Sequence, residues 1–142
     1  AMVQLLETRK FDYVVDAIDT LSPKVYLLFL SLKNNLKVVS SMGSGGRWDP
    51  TAVKIADISK SNHCALARTV RKRLHKMGVF SGVEVVYSAE VVNDDCIVLV
   101  DELNKKSNVG TISYMPAVFG CACASVVIRG LLAENRAELK DV

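Results

Sequence analysis

The chain has 142 residues, a length that suits one domain and excludes an arrangement of several large ones. Half of its residues are hydrophobic, so the sequence predicts extensive burial, including the burial of a subunit interface. The formal net charge of +3 is too small to indicate a class of partner, so the distribution of the charges matters more than their sum.

The first part of the chain predicts a strand, a helix and a second strand. DYVVDAI (12–18) is an apolar, β-branched run typical of a strand buried on both faces. Ser22 is a candidate N-cap and Pro23 suits the first position of a helix, which continues through KVYLLFLSLK until Asn34. LKVVSS (36–41) predicts the second strand. Because a crossover helix joins two parallel strands, this order indicates a right-handed, Rossmann-like βαβ unit.

After this unit the sequence predicts a glycine-rich loop, three more strands and two helices. They are a loop at MGSGGRWDP (42–50), strands at TAVKIADI (51–58), GVEVVYSAEVV (82–92) and CIVLVDE (96–102), and helices at 62–77 and 115–139. We expect the last two strands to be neighbours. The predicted fold class is therefore α/β, a Rossmann-like βαβ unit with a mixed-sheet C-terminal extension, in a single domain of residues 1–142.

One apolar stretch near the end of the chain requires a test for a membrane span. The segment from Ser107 to Ile128 carries no formal charge and approaches the length of a spanning helix. Pro116, the glycines and several polar residues argue against a span, and Arg129 follows at once. We therefore expect a buried or interfacial helix and no membrane.

The four cysteines form neither a CxxC pair nor the spacing of a zinc ribbon, so no zinc is expected. They are Cys64, Cys96, Cys121 and Cys123. Cys121 and Cys123 lie in FGCACASVVI, where cysteine commonly acts as a small core residue; a redox or sulfur-transfer role is the alternative. No signal peptide is visible, so we expect a reducing, cytoplasmic location.

Asp19 and the glycine-rich loop follow the two predicted parallel strands and are candidates for a nucleotide site. The GSGG run (43–46) matches neither the GxxxxGK[ST] phosphate loop nor a GxGxxG that opens a helix. Yet open α/β sheets bind ligands beyond the carboxyl ends of their strands, where both features would lie. The alternatives are that Asp19 only caps the next helix and that the glycines only allow a tight turn. Asp16 is expected to be structural.

The predicted helix 62–77 carries an apolar stripe and a basic stripe on opposite faces. The apolar stripe is Leu66, Val70, Leu74 and Met77, and the basic stripe is Arg68, Arg71, Lys72 and His75, to which Lys76 adds charge. No acidic residue occurs between Asp57 and Glu84. A stripe of one sign is the footprint expected for a polyanion such as a nucleic acid, and an ordinary solvated face is the alternative.

Four segments together resemble one protein family in their order and spacing. They are DYVVDAIDTLSPK (12–24), VVSSMGSGGRWDPTAVKIADISKS (38–61), ALARTVRKRLHK (65–76) and GTISYMPAVFGCACASVVIRGLL (110–132). These segments resemble the tRNA threonylcarbamoyladenosine dehydratases, in the ThiF/MoeB-like branch of the ubiquitin-activating superfamily. The resemblance spans nearly the whole chain, and its more specific part is the glycine loop with DPT, followed by AD and the basic helix.

The resemblance implies that residues 1–42 form the second half of an ATP-binding domain and that residues 43–142 form a substrate and dimerisation part. It also implies that the N-terminal half of the ATP-binding domain, with its own glycine-rich turn, is absent here. On this view the chain is the C-terminal portion of a longer enzyme and is inactive by itself.

The implied reaction uses ATP and magnesium to adenylate the carboxylate of threonylcarbamoyladenosine in tRNA. A nitrogen or oxygen of the same modification then displaces AMP and closes a ring, and holding both reacting groups in one substrate favours that step. The residues implied are Asp19 as catalytic and magnesium-binding residue, Asp19, Gly43, Gly45 and Gly46 around ATP, and Arg68, Arg71, Lys72 and Lys76 along the tRNA.

Two other interpretations remain open at this point. The first is a sulfur-carrier-protein adenylyltransferase of the thiamine or molybdopterin type, which applies the same ATP chemistry to a protein C-terminus. The second is a tRNA-binding scaffold that dimerises without being an enzyme. As for partners, the resemblance implies a homodimer that uses the apolar stretch from Tyr114 to Ile128, and it leaves room for a sulfur-relay protein.

Overall fold

A computed structural model of the chain describes residues 2–92, 97–102 and 105–138. These residues form helices and strands in the order α1 (Met2–Thr8), β1 (Val14–Asp16), α2 (Leu21–Lys33), β2 (Val38–Ser41), β3 (Val53–Asp57), α3 (Ala65–Lys76), β4 (Glu84–Ser88), β5 (Ile97–Glu102), β6 (Lys105–Val109) and α4 (Tyr114–Glu138). The α/β fold class predicted from the sequence is confirmed. Cys96 and Leu139, the predicted ends of a strand and a helix, lie outside the described residues.

Four of the strands form one mixed sheet in the order β1-β2-β4-β3. β1 pairs with β2 and β2 with β4 in parallel, whereas β3 runs antiparallel to β4. The predicted strand–helix–strand order with parallel strands is confirmed, because α2 connects β1 to β2. β3 and β4 come from the second part of the chain and extend the same sheet, as the predicted mixed-sheet extension requires.

Helices cover both faces of this sheet. On one face, side chains of α2 and α3 such as Leu28 and Val70 enclose Val38 of β2 in a buried core. On the other face, α4 contributes Phe119 to a second core, which contains Val39 of β2. Because successive side chains of a strand point to opposite faces, the paired valines of β2 serve both cores. Burial on both faces is what a parallel strand between helix layers needs.

Helix α2 begins earlier than the sequence predicts. Its N-cap residue is Thr20, which has an extended backbone and makes no side-chain capping bond, and not Ser22. The reason is that Lys24 N–H reaches Thr20 C=O at 3.3 Å, so the first turn closes two residues sooner. Pro23 still falls in the first turn, where no main-chain donor is needed. The predicted end of the helix at Asn34 is confirmed.

The expected pairing of the strand at 82–92 with the strand at 96–102 is wrong. β4 lies in the four-stranded sheet, whereas β5 pairs with β6 in a separate antiparallel two-stranded sheet. Val85 and Val86 of β4 are both fully buried, so this strand fits the middle of a sheet covered on two sides. β5 instead pairs with a strand only a few residues later, and the polar sequence KKSNV of β6 gave no strand signal.

Helix α3 is shorter than predicted, and one residue of its predicted apolar stripe is exposed. Val70 and Leu74 are buried as expected, and Leu66 is partly buried against the same core. Met77 is 38% exposed because α3 ends at Lys76, so its assignment to the core is wrong.

Helix α4 packs one face against the sheet. Met115, Phe119 and Cys123 are buried there, whereas Cys121 is exposed, so the expected core position is confirmed for Cys123 and wrong for Cys121. By length and hydropathy alone, Tyr114–Asn135 would be able to cross a membrane, with 22% of that segment buried. A single helix of this kind is weak evidence for a span, since core helices have the same properties.

Candidate functional site

A fully buried ion pair joins the carboxyl ends of β1 and β2. Lys24 Nζ lies 2.7 Å from Asp16 Oδ2, and neither side chain is exposed. The Ser40 hydroxyl donates to the same Oδ2 atom at 2.5 Å. A buried charge is tolerated only when it is paired and hydrogen-bonded, and these contacts meet both conditions. The arrangement agrees with the structural role expected for Asp16.

The same lysine also fixes the two segments that leave this edge of the sheet. Lys24 Nζ donates to the carbonyl of Ile18 at 3.1 Å and to the carbonyl of Ser41 at 2.7 Å. The N–H of Ile18 donates to Asp16 Oδ1 at 3.0 Å. Lys24 therefore holds the residue just before Asp19 and the last residue of β2, so Asp19 and the glycine loop start from the same edge.

Asp19 is exposed at this edge. Magnesium typically takes one or two protein carboxylates and completes its shell with water and phosphate oxygens, so an exposed carboxylate beside a ligand-binding edge fits it. In the part of the chain that the structure describes, no group of three His, Cys, Asp or Glu residues could hold a metal ion. Magnesium bound here would therefore depend on nucleotide phosphates as well as on Asp19.

The three predicted glycines shape the first half of the loop in different ways. A Cβ atom added to Gly43 would meet no atom within 4 Å, so space is open beside this residue. Gly46 has a φ of 68°, a left-handed conformation that favours glycine. Its N–H donates to the carbonyl of Gly110 at 2.7 Å, which joins the loop to the segment before α4. Gly45, between them, is partly buried.

The second half of the loop is held by a carboxylate and a phenol. Glu90 Oε2 accepts hydrogen bonds from the N–H groups of Trp48 and Asp49, at 2.9 and 3.0 Å. The hydroxyl of Tyr114 donates to the carbonyl of Trp48 at 2.7 Å. Hydrogen bonds from the Thr51 side chain and backbone lower the pKa of Asp49. The loop is thus a braced segment at both of its ends.

The basic stripe of α3 divides into exposed residues and one residue used inside the fold. Arg71 Nη1 donates to the carbonyl of Ile58 at 3.0 Å and to the carbonyl and hydroxyl of Ser61 at 3.0 and 2.8 Å. This nitrogen is therefore occupied, although contact of Arg71 with tRNA stays a prediction. His75 is exposed, and so are Arg68, Lys72 and Lys76, the three always-charged residues that we call the basic surface.

A hydrogen bond joins α3 to the first turn of α2, which follows Asp19. Arg73 Nη1, on α3, donates to the hydroxyl of Ser22 at 3.0 Å. Ser22 lies in the first turn of α2, three residues after Asp19. The structure therefore brings α3 beside the start of α2.

Two charged residues at this edge were not assigned from the sequence. Lys24 is the only charged residue in the first three turns of the apolar helix α2. A single charge in such a helix was the sequence signal that Lys24 would be buried against a partner of opposite charge. Arg47 is only 3% exposed, and its Nη2 donates to the carbonyl of His63 at 2.8 Å. No local pattern distinguishes a buried arginine in a glycine loop from an exposed one, so that burial could be found only in three dimensions.

A groove at the opposite edge of the sheet is not part of this site. It is lined by residues at the amino ends of the parallel strands, among them Tyr13, Lys37 and Glu84. The Tyr13 hydroxyl donates to Glu84 Oε2 at 3.5 Å, and burial together with the Glu84 charge raises the pKa of Tyr13. Parallel sheets bind their ligands at the carboxyl ends of the strands, so the edge with Asp19 remains the candidate site.

Comparison with known proteins finds one matching family and several similar tRNA threonylcarbamoyladenosine dehydratases. It matches the ThiF family over residues 2–141. It is 34% identical over 135 residues to tRNA threonylcarbamoyladenosine dehydratase of Bacillus subtilis, which covers 87% of this chain and 52% of the relative. It is 43% identical over 79 residues to tRNA threonylcarbamoyladenosine dehydratase 2 of Saccharomyces cerevisiae, which covers 56% and 18%.

Solved structures give the same result for the fold. The chain superposes on a crystal structure of Escherichia coli tRNA N6-threonylcarbamoyladenosine dehydratase in complex with ATP, with a TM-score of 0.78 and 26% identity. The superposition covers 95% of this chain and 54% of the other, so the chain spans about half the length of that enzyme and of the Bacillus subtilis relative. The resemblance inferred from the motifs is confirmed: this chain belongs to the ThiF family.

Proposed function

We propose that the full-length protein is an ATP-dependent tRNA threonylcarbamoyladenosine dehydratase. The observation that carries this proposal is the superposition of 95% of the chain on an ATP-bound enzyme of that name. In the proposal, residues 1–42 belong to the nucleotide-binding fold and residues 43–142 to the substrate and dimerisation part. The position of Asp19 and the glycine loop at the carboxyl edge of the parallel strands supports it.

The proposed reaction has two steps that balance. A carboxylate oxygen of the modified adenosine attacks the α-phosphorus of ATP, and pyrophosphate leaves. A nitrogen or oxygen of the same modification then attacks the activated carbonyl, loses its proton, and releases AMP with the former carboxylate oxygen. Asp19 would help to hold magnesium, which would neutralise part of the negative charge of ATP. Gly43 leaves room for the reacting carboxylate, and Gly45 and Gly46 shape the loop beside it.

The tRNA binds in this proposal along the basic surface, with Arg71 at its border. Exposed arginine and lysine side chains on one helix face suit a phosphate backbone, and α3 lies beside the start of α2, which follows Asp19. The enzyme acts in the cytoplasm, where tRNA is modified, and any sulfur-relay protein would be an additional partner rather than part of the site.

The deciding experiment uses the full-length protein with ATP, magnesium and tRNA that carries threonylcarbamoyladenosine, with nucleosides read by mass spectrometry. We expect the loss of one water from the modified nucleoside, abolished by Asp19→Ala. Asp12→Ala, a change of an exposed aspartate before β1, is the matched control and should leave the reaction intact. No change in mass, with ATP turnover only when a small carrier protein is added, would favour the sulfur-carrier adenylyltransferase instead.

A homodimer is part of the same proposal. The apolar stretch from Tyr114 to Ile128 has a second face, which includes Tyr114 at 42% and Ile128 at 57% exposure. Large exposed apolar side chains on one helix suit a contact between subunits. Sedimentation of the full-length protein should give a dimer, and Ile128→Lys should weaken it; a monomer at all concentrations would remove this part of the proposal.

A further inference from the structure

Arg47 is a buried cation whose hydrogen-bonding capacity is mostly unused. It lies in the glycine loop after β2 and is 3% exposed. One guanidinium nitrogen, Nη2, donates to the carbonyl of His63 at 2.8 Å. In the part of the chain that the structure describes, Nε and Nη1 have no hydrogen-bond partner, although both are shielded from solvent. A guanidinium remains charged at any physiological pH, so the charge cannot be avoided by losing a proton.

The protein satisfies its other deeply buried cation in full. Lys24 is as deeply buried as Arg47, but its ammonium group reaches Asp16, the carbonyl of Ile18 and the carbonyl of Ser41. The remaining ion pair among the described residues is Lys37 with Glu134, so Arg47 has no carboxylate partner there. Polar groups buried in folded proteins are nearly always hydrogen-bonded, and an exception calls for a specific explanation.

The surroundings of Arg47 fit a ligand better than a structural defect. The loop that carries it leaves the carboxyl edge of the parallel strands, and space is open beside Gly43. His63, whose carbonyl accepts the hydrogen bond from Arg47, has a φ of 50°, a left-handed conformation that histidine adopts more often than most residues other than glycine.

We propose that Arg47 is the anchor of a binding site for an anionic oxygen group, a carboxylate or a phosphoryl group, in the glycine loop. Nη2 carries a second N–H beside the one that His63 accepts, so Nη2 together with either Nε or Nη1 can donate two parallel hydrogen bonds to a group with more than one anionic oxygen. Because both donors are shielded, the ligand reaches them only after a local movement, for which the open space beside Gly43 leaves room.

The substrate carboxylate is the ligand that the proposed function favours. A carboxylate has to approach the α-phosphate of ATP although both are negatively charged, and a guanidinium on the carboxylate removes that repulsion. Naming this carboxylate rests on the proposed function, whereas the existence of an anion site at Arg47 does not.

The test is isothermal titration of the full-length protein with three probes: N-carbamoyl-L-threonine, its uncharged methyl ester, and ATP with magnesium. Arg47→Gln removes the guanidinium, and Arg9→Gln, at the exposed end of α1, is the control with the same change of charge. We expect Arg47→Gln to weaken one of the two anionic probes by at least about tenfold, with Arg9→Gln and the methyl ester showing no such difference. Loss for N-carbamoyl-L-threonine assigns the site to a carboxylate, and loss for ATP assigns it to a phosphoryl group.

A direct measurement covers the case in which Arg47→Gln does not fold. The Nε–H resonance of Arg47, assigned by its loss in Arg47→Lys, should shift when the same anionic probe is added to the wild-type protein. An unshifted resonance, or equal affinity of Arg47→Gln and wild type for both anionic probes, would overturn the site. Weakened probe binding in Arg47→Gln together with no dehydration of tRNA by the wild type would retain the anion site and remove the proposed reaction.

Discussion

Lys24 and Asp16 form an ion pair that no solvent reaches, with 2.7 Å between Nζ and Oδ2. The pair spans the end of β1 and the first turn of α2, and Lys24 extends it to the end of β2 through the carbonyl of Ser41. The exposed Asp19 and the glycine loop are therefore positioned by an ion pair in the interior of the fold. Buried contacts of this kind can hold the exposed edge of the sheet in a defined geometry.

Lys24→Met should lower the free energy of unfolding by about 3–5 kcal/mol, because it leaves the buried carboxylate of Asp16 without its charge partner. Lys33→Met, an exposed lysine of the same helix, is the control and should change stability by less than about 0.5 kcal/mol. Chemical denaturation measures both. If the double variant Lys24→Met, Asp16→Asn were destabilised by the full sum of the single variants, the two residues would not be coupled as described.

Two neighbouring basic residues of α3 should contribute differently to the free energy of unfolding. Arg71→Gln loses the hydrogen bonds to Ile58 and Ser61 and should lower the free energy of unfolding by about 1–3 kcal/mol. Lys72→Gln, one residue further, removes the same charge from an exposed position and should change it by less than about 0.5 kcal/mol. Equal denaturation midpoints for the two variants would contradict the anchoring role of Arg71.

The basic surface predicts a defined salt dependence of tRNA binding. Each of Arg68→Gln, Lys72→Gln and Lys76→Gln should weaken binding and reduce the slope of log affinity against log salt by roughly 0.7–0.9, as expected for one lost phosphate contact. Filter binding or fluorescence anisotropy of the full-length protein over a range of salt concentrations measures this slope. Lys33→Gln, on α2, serves as the control, and an unchanged slope in all three variants would place the tRNA elsewhere.

Two glycines of the loop should respond differently to alanine. Gly46→Ala forces a Cβ into a left-handed conformation with φ of 68° and should cost about 1 kcal/mol of stability. Gly43→Ala meets no atom within 4 Å and has no such conformation, so its melting temperature should stay within the error of the wild type. Loss of activity in a normally stable Gly43→Ala would report on the pocket rather than on folding. A destabilised Gly43→Ala would show that the open space has been misjudged.

Asp57 should make stability depend on pH in the acid range. Burial alone would raise the pKa of Asp57, but hydrogen bonds from Ser59 and Gly82 and the charge of Lys60 together lower it. A carboxyl whose pKa is lower in the folded state stabilises the protein above its unfolded pKa of about 3.9, and this contribution is lost as the pH falls through the folded value.

The corresponding variant is Asp57→Asn, which keeps an acceptor for Ser59 but presents an amide to the N–H of Gly82. Because the site is partly open to solvent, we expect it to cost only about 0.5–1 kcal/mol at neutral pH. The difference from wild type should shrink below about pH 4. A constant difference down to pH 2 for Asp57→Asn would argue against the lowered pKa.

Local patterns in the sequence were sufficient to predict much of the fold and of the candidate site. The apolar run ending at Asp16, the apolar helix after it and the run ending at Ser41 were sufficient to predict the βαβ unit. The position of Asp19 and the glycine loop then followed, because the carboxyl ends of parallel strands meet at one edge. The alternation of apolar and basic residues likewise predicted the exposed side of α3. Each of these inferences depends on neighbours only a few residues apart, where periodicity and turn chemistry act.

Tertiary structure alone decided which strands pair and which charges are buried. β4 joins β2 across more than forty residues, and nothing local distinguishes that partner from β5. Arg47 and Arg71 resemble surface residues in the sequence, yet one is enclosed in the glycine loop and the other holds the turn at Ile58. The physical reason is that burial and pairing depend on contacts between distant segments, whose free energy is set only when the sheet and its two helix layers come together.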